Sequence, residues 1–433
     1  MTTRRKTWIG VGLFAIAGTA LPVAATLASS SPDVATARHS AGPLALDPTL
    51  MLAAGGEEGG EGGGAPVESY LLPNSDPAQY TYDATSEIAA YAAGVHASYA
   101  AASDGAKTLA TAIAALLDKP TVETLAAARK AWTAARPSYL VTEVYRFYDG
   151  PIEAREGEIN SWPMNEAFID YVVGNPDAGI INDPKSEISL VKLILNNQAS
   201  DESDVTLGWH AIEFLLWGQD LSATGPGDRP VSDFIPGQGN NDRRRTYLKV
   251  VTDRLVADIA QVTEAWAPDA TNYATTFLAL PPREAIGRIL NGLAILSGSE
   301  LMSERMAVGL DSGDQEDEHS CFSDTTHQDF VYDVKGVENV WTGKYPGYTG
   351  PGVRDLVAKV DAGLATEIDG LLADTTAKIA KLGDPWDQVL AAAPDTQARK
   401  DAEAAVASLG VLADSFKRAG EKLGVLVQIP TGG

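Results

Sequence analysis

A single cysteine, Cys321, in 433 residues rules out an internal disulfide and any metal cage built on thiolates alone, since both need at least two sulfurs. Basic residues are scarce: 33 Lys and Arg stand against 58 Asp and Glu, for a formal charge of −25 at pH 7. A chain this acidic is repelled by polyphosphate and anionic lipid, which excludes nucleic acid as a partner, while the same field favours cations, metal ions among them. Aromatics make up 7% and β-branched runs are few, whereas alanine-rich stretches recur, so an all-β sandwich or barrel is excluded and helices are expected to dominate. The five histidines are followed by Ser40, Ala97, Ala211, Ser320 and Gln328, so the H-E-x-x-H zinc-protease signature is missing. With 45% hydrophobic residues, the chain is long enough for two or three domains with a sizeable core.

Residues 1–28 read as a secretory signal peptide: Arg4, Arg5 and Lys6, an apolar run from Trp8 to Val23, then Ala24, Ala25 and Ala28 at plausible cleavage positions. As an uncleaved anchor the run, at ~16 residues, falls short of the ~20 that span a bilayer, so no stable transmembrane span is expected after cleavage. Export to the periplasm or cell envelope follows. Residues 29–74 are expected to form a flexible acidic tether, because the seven glycines and three glutamates of 55–64 cannot bury enough apolar surface to offset ordering entropy. Helical periodicity then places helices at 77–102, 105–117, 121–136, 138–148, 163–173, 186–197, 206–217, 241–266, 282–310, 326–341, 351–382 and 396–424. The polar loop from Gly218 to Asn241 is expected to join an N-terminal helical bundle, 75–240, to a C-terminal one, 241–430.

The most informative stretch runs from Leu207 to Trp217, in which every residue but His210 and Glu213 is apolar or glycine. A helix hydrophobic on all sides is buried, and a buried glutamate needs a partner. His210 and Glu213, three apart, share one face, where an imidazole nitrogen and a carboxylate oxygen can converge on one ion or simply bond each other. Gly208 leaves room for another backbone or a ligand to approach.

The pattern Gly208-x-His210-x-x-Glu213 resembles the G-x-H-x-x-E motif of the imelysin-like proteins. Trp132-Thr-Ala-Ala-Arg136, Glu143-Val-Tyr-Arg146-Phe147, Gly150-Pro151, Ile159-Asn160-Ser-Trp162-Pro163 and Asp170-Tyr171 extend the likeness, and Glu316 to Asp324 is similar to the branch called iron-regulated protein A. The resemblance covers about residues 76 to 425. It implies an all-α fold of two four-helix-bundle-like halves with a cleft near the motif, and an exported protein that binds metal through His210 and Glu213. Iron handling or uptake beside other envelope iron-uptake components is one implication, with iron or another divalent metal as the bound species. A zinc-dependent metallopeptidase with Glu213 as general base is the alternative. A helical interaction module in which His210 and Glu213 only pair with each other is the third.

Further candidates are weaker in pattern. The segment 311–329 holds seven carboxylates together with His319, His327 and Cys321; it could supply a ligand, His319 first, or be a solvated acidic loop in which His319 caps a helix and Cys321 is a small buried residue. Glu143, among Tyr145, Phe147 and Tyr148, is a further carboxylate ligand candidate, for which Arg146 offers the competing role of structural partner. Glu300 and Glu304 are expected to line a polar core with Arg305. His96 is expected to pack in a helix and His39 to lie in the tether.

Overall fold

The computed structural model describes residues 70–383 and 385–430. The expected signal peptide, the tether up to residue 69 and His39 lie outside the described residues. The segments with clean helical periodicity do form helices. α1, Thr85–Asp118, fuses two expected helices across Gly105. A mid-helix glycine costs about 1 kcal/mol, but here a Cβ would stand 2.8 Å from Ser138 Oγ of the next helix, so its absence allows the two backbones close approach. α2, Val122–Leu140, is capped by Thr121, whose hydroxyl accepts from Thr124 N–H at 3.2 Å.

The helix expected over 138–148 is not formed: after Leu140 only the 3₁₀ turn Glu143–Tyr145 follows, and Phe147 and Asp149 take positive φ. Nearly every side chain from Val141 to Tyr148 is buried, so the apolar spacing there marks a buried loop rather than one face of a helix. Likewise 163–173 holds only the single turn Glu166–Ile169. α3, Gly208–Trp217, and α4, Asn241–Ala265, lie close to their expected bounds. α5 runs as Pro282–Ile295, continues in π geometry over Leu296–Ala307 and ends as Val308–Ser312. α6 is Thr326–Thr342. The helix expected over 351–382 divides into α7, Val353–Val360, and α8, Ala362–Ile379, because Asp361 takes an extended φ of −150° and its carboxylate accepts from Leu364 N–H to start α8. α9 is Gln397–Leu423.

The fold is all-α, relieved by a two-residue hairpin pairing Lys344–Tyr345 with Tyr348–Thr349. α1, α2, α3 and α4 pack on one another, so the helix after the polar loop sits against the N-terminal helices. α5, α6, α8 and α9 form the other group, and α6 also packs on α2, which brings the loop before α6 against α3. The described residues lie in one compact unit around a connected apolar core. Among the described residues no helix is long and apolar enough to cross a membrane.

Candidate metal centre

All ten residues of α3 are buried. Gly208 opens it at φ +87°, where a Cβ would lie 2.4 Å from the Ile159 carbonyl oxygen, so both the backbone conformation and the close approach demand glycine. Trp132 of α2 donates its indole N–H to the Trp209 carbonyl at 3.1 Å, which fixes α3 against α2. His210 and Glu213, both without exposed surface, then meet one turn apart, with Nδ1 2.9 Å from Oε2. The other carboxylate oxygen, Oε1, accepts from the Ser323 amide at 2.9 Å and its hydroxyl at 2.6 Å.

His319 comes to the same place from the loop before α6, its ring centroid 4.7 Å from that of His210. Its Nδ1 lies 2.8 Å from Asp329 Oδ2, which also accepts from the Ser320 hydroxyl at 2.7 Å and from Arg136 Nη2 at 3.1 Å. The same Arg136 nitrogen stands 3.3 Å from His210 Nε2 and 3.4 Å from His319 Nδ1. A guanidinium can only donate, so His210 Nε2 is the acceptor and the neutral ring carries its proton on Nδ1, facing Glu213. Asn160 receives Arg136 Nη1, and the Trp162 ring lies 5.1 Å from the His210 ring. Thus one positive charge sits where two imidazoles and a carboxylate converge.

Burial, with the positive charge of Arg136 and the nearby His319, pushes the His210 imidazole well below its ordinary range. Burial, with Arg305 and Arg136, does the same to His319. Burial lifts the Glu213 carboxyl to about 8 although the Ser323 hydroxyl and Arg136 oppose it. Both rings are therefore neutral at pH 7, the form in which imidazole ligates metal. Asp329 Oδ1 is buried without a hydrogen-bond partner. Imidazole nitrogen and carboxylate oxygen are donor types that suit iron, manganese or zinc; here Glu213 lies on the Nδ1 side of His210, and Arg136, bonded to Asp329, on its Nε2 side.

Glu143 is placed elsewhere. It accepts from Arg305 at 2.5 Å and Arg146 at 3.1 Å, in a buried network that also takes in Glu300, Glu156 and Asp333. The π geometry of α5 contributes directly: residues five apart stack on one face in such a helix, and Arg305 bonds Glu300 at 2.7 Å. Glu304, expected beside them, is exposed instead. Residues 318–326 are buried, so that part of the acidic segment is no solvated loop. Cys321 is a small buried residue, its thiol pushed well up by burial and by Glu213 and Glu316. His327 bonds the Ile379 carbonyl. Arg136, Asn160 and Trp162 stand in the stretches that carried the family likeness, yet nothing in their spacing gave them a role; Asp329 and Ser323 lay within the acidic segment, indistinguishable there from its other polar residues.

The model of the imelysin family (Peptidase_M75) matches residues 95–416. The chain is 23% identical over 322 residues to iron-regulated protein A of Synechococcus elongatus, spanning 72% of this chain and 79% of that one. Its fold is similar to that of a candidate iron-regulated protein A precursor from Parabacteroides distasonis, with a TM-score of 0.60 at 18% identity over 81% of this chain and 97% of the other. An imelysin-like protein from Psychrobacter arcticum 273-4 gives a TM-score of 0.58 at 16% identity, over 81% and 99%. A family match over most of the chain, on an all-α fold shared with these structures, means that this protein belongs to the imelysin family.

Proposed function

We propose that this protein is an exported metal-binding protein of the periplasm or cell envelope that handles iron, taking the ion as cargo at His210, Glu213 and His319 with Asp329 as a further oxygen ligand. The observation that supports the reading is the convergence of two neutral buried imidazoles and the buried Asp329 carboxylate on a single guanidinium nitrogen, with the buried Glu213 carboxylate bonded to the other nitrogen of the His210 ring. In that reading Arg136 balances the site when no ion is bound, and ion entry requires its guanidinium to withdraw. The iron-regulated relative and the acidity of the chain support the choice of iron over other divalent ions. Export is supported by the N-terminal sequence and by a structural relative described as a precursor. A peptidase would need water and a peptide at Glu213, and neither His210 nor Glu213 has exposed surface, so zinc-dependent hydrolysis is the less supported reading.

The test is elemental analysis of the purified protein after chelator treatment and anaerobic exposure to ferrous iron. Wild type is expected to retain iron and His210→Ala to lose it, while Arg136→Gln binds no more weakly than wild type. Equal iron content in wild type and His210→Ala refutes the proposal. Cleavage of peptides with zinc present, abolished by Glu213→Gln, would put the peptidase in its place.

A further inference from the structure

Beyond the C-terminal end of α3, a second set of acids gathers that shares no residue with the His210 cluster. Asp220, Asp324 and Asp387, all buried, each bring one carboxylate oxygen within 4.8 Å of the others. They arrive from three segments: Asp220 just past Gly218, Asp324 in the loop before α6, and Asp387 at the start of the turn Asp387–Leu390. Asp324 interacts with Asp220, and Gln315 donates to Asp220. These bonds do not account for the whole set. Asp387 Oδ2 is buried with no hydrogen-bond partner, although Oδ1 accepts from the Gln388 amide at 2.6 Å.

A second, independent observation comes from Glu318. Its side chain has no exposed surface, and neither carboxylate oxygen makes a hydrogen bond of ordinary geometry. The charged groups that act on it most are Asp387, Asp324 and Asp220, all of like sign. Among the described residues no Lys or Arg forms an ion pair with Glu318, Asp220 or Asp387. Buried carboxylates without a cationic partner are costly unless protonated or bound to a cation.

We propose that Asp220, Asp324, Asp387 and Glu318 form a binding site for a calcium-class divalent cation. The donors are all hard oxygens, with no nitrogen or sulfur in the set, which suits calcium and its tolerance of irregular geometry better than iron or zinc. Magnesium keeps several waters in a strict octahedron, and a set this buried has little room for them. Asp220 also lines a surface cavity of about 420 Å³ with Trp217, Gln219 and Leu221, which gives an ion a way in. A bound cation would tie the end of α3 to the loop whose Ser323, next to Asp324, donates twice to Glu213. The site stands whether or not His210 and Glu213 carry iron.

The experiment is calcium titration of chelator-treated full-length protein, followed by calorimetry and by thermal unfolding, with magnesium and manganese in parallel. One calcium per chain and a raised Tm are expected. Asp387→Asn and Glu318→Gln should each weaken calcium binding at least tenfold. Because each removes a like charge from the set, the metal-free variants should unfold at temperatures no lower than metal-free wild type, which separates lost binding from lost folding. His210→Ala should bind calcium as wild type does, so failure of the iron reading leaves this result untouched. Absence of heat and of a Tm shift at millimolar calcium, a preference for magnesium or manganese, or calcium affinity within twofold of wild type in both variants would overturn the assignment.

Discussion

Glu213 and Glu143 are both buried glutamates close to basic side chains, yet they end in opposite states. Glu143 has two guanidinium groups in direct contact, and Arg305 and Arg146 overcome the cost of burial to pull its carboxyl down to about 2. Glu213 contacts a neutral imidazole and a serine, with no arginine bonded to it, and burial pushes it up to about 8. Burial of a carboxylate is therefore not informative by itself; the partner decides. A glutamate locked to two arginines is a structural ion pair, while one beside a neutral imidazole and a serine has no fixed positive charge bonded to it.

The largest effect expected from this contrast is at Arg305. It holds Glu143, Glu300 and Asp333, and Arg305→Met leaves buried carboxylates uncompensated. Breaking a buried network from one side costs about 3–5 kcal/mol, to be read from urea unfolding. A loss below about 1 kcal/mol would mean that the acids reprotonate without penalty and that the network contributes little.

pH separates the two glutamates next. Between the ordinary glutamate value of 4.5 and about 8, the folded protein holds a proton on Glu213 that the unfolded chain has released. Glu213 thus favours folding fully below 4.5, and its contribution is lost as pH rises through about 8, by up to about 1.4 kcal/mol per pH unit. For Glu143 the sign reverses: its contribution is present above 4.5 and lost as pH falls towards about 2. Glu213→Gln should flatten the stability profile between pH 5 and 8 and leave the acid limb alone, and Glu143→Gln should do the opposite. Parallel unfolding profiles for wild type and Glu213→Gln across pH 5–8 would break the comparison.

At Gly208 the contrast is between backbone and charge. The His210 pair depends on where the main chain of α3 begins, and Gly208→Ala forces a Cβ into the Ile159 carbonyl at a left-handed φ. A loss of roughly 2 kcal/mol or more is expected. Iron retention should fall with it, because the displaced turn carries His210. Unchanged stability and iron content would show that the glycine is incidental.

This position also shows how far the sequence could be read. A helix apolar on all sides with two polar residues three apart told of burial and a shared face, and Gly208 told of a close approach; both are short-range consequences of helical geometry. That the approaching backbone would be Ile159, or that Arg136 would stand between His210 and His319, depends on contacts across 49 and up to 183 positions, which no local period encodes. The dominance of helices followed from composition, the all-α class from the family resemblance, and the bounds of α3, α4, α6 and α9 from periodicity. The buried loop 141–148 misled for the opposite reason, since residues buried on every side carry no period.

The smallest effect expected is at Glu304, and it sharpens the comparison from the arginine side. Read as an ordinary helix, Glu300 and Glu304 share a face with Arg305 beside the second; in π geometry Arg305 turns onto Glu300 and Glu304 is carried out to solvent. Glu300→Gln, which weakens charge-assisted bonds to Arg305 and Arg146, should cost about 1–3 kcal/mol. Glu304→Gln should stay within about 0.5 kcal/mol of wild type, as exposed substitutions do. Equal losses at the two positions, measured by urea unfolding, would show that the segment behaves in solution as an α-helix. Arg305 would then lose the partner that lets it bind Glu143, and the separation between the two buried glutamates would narrow.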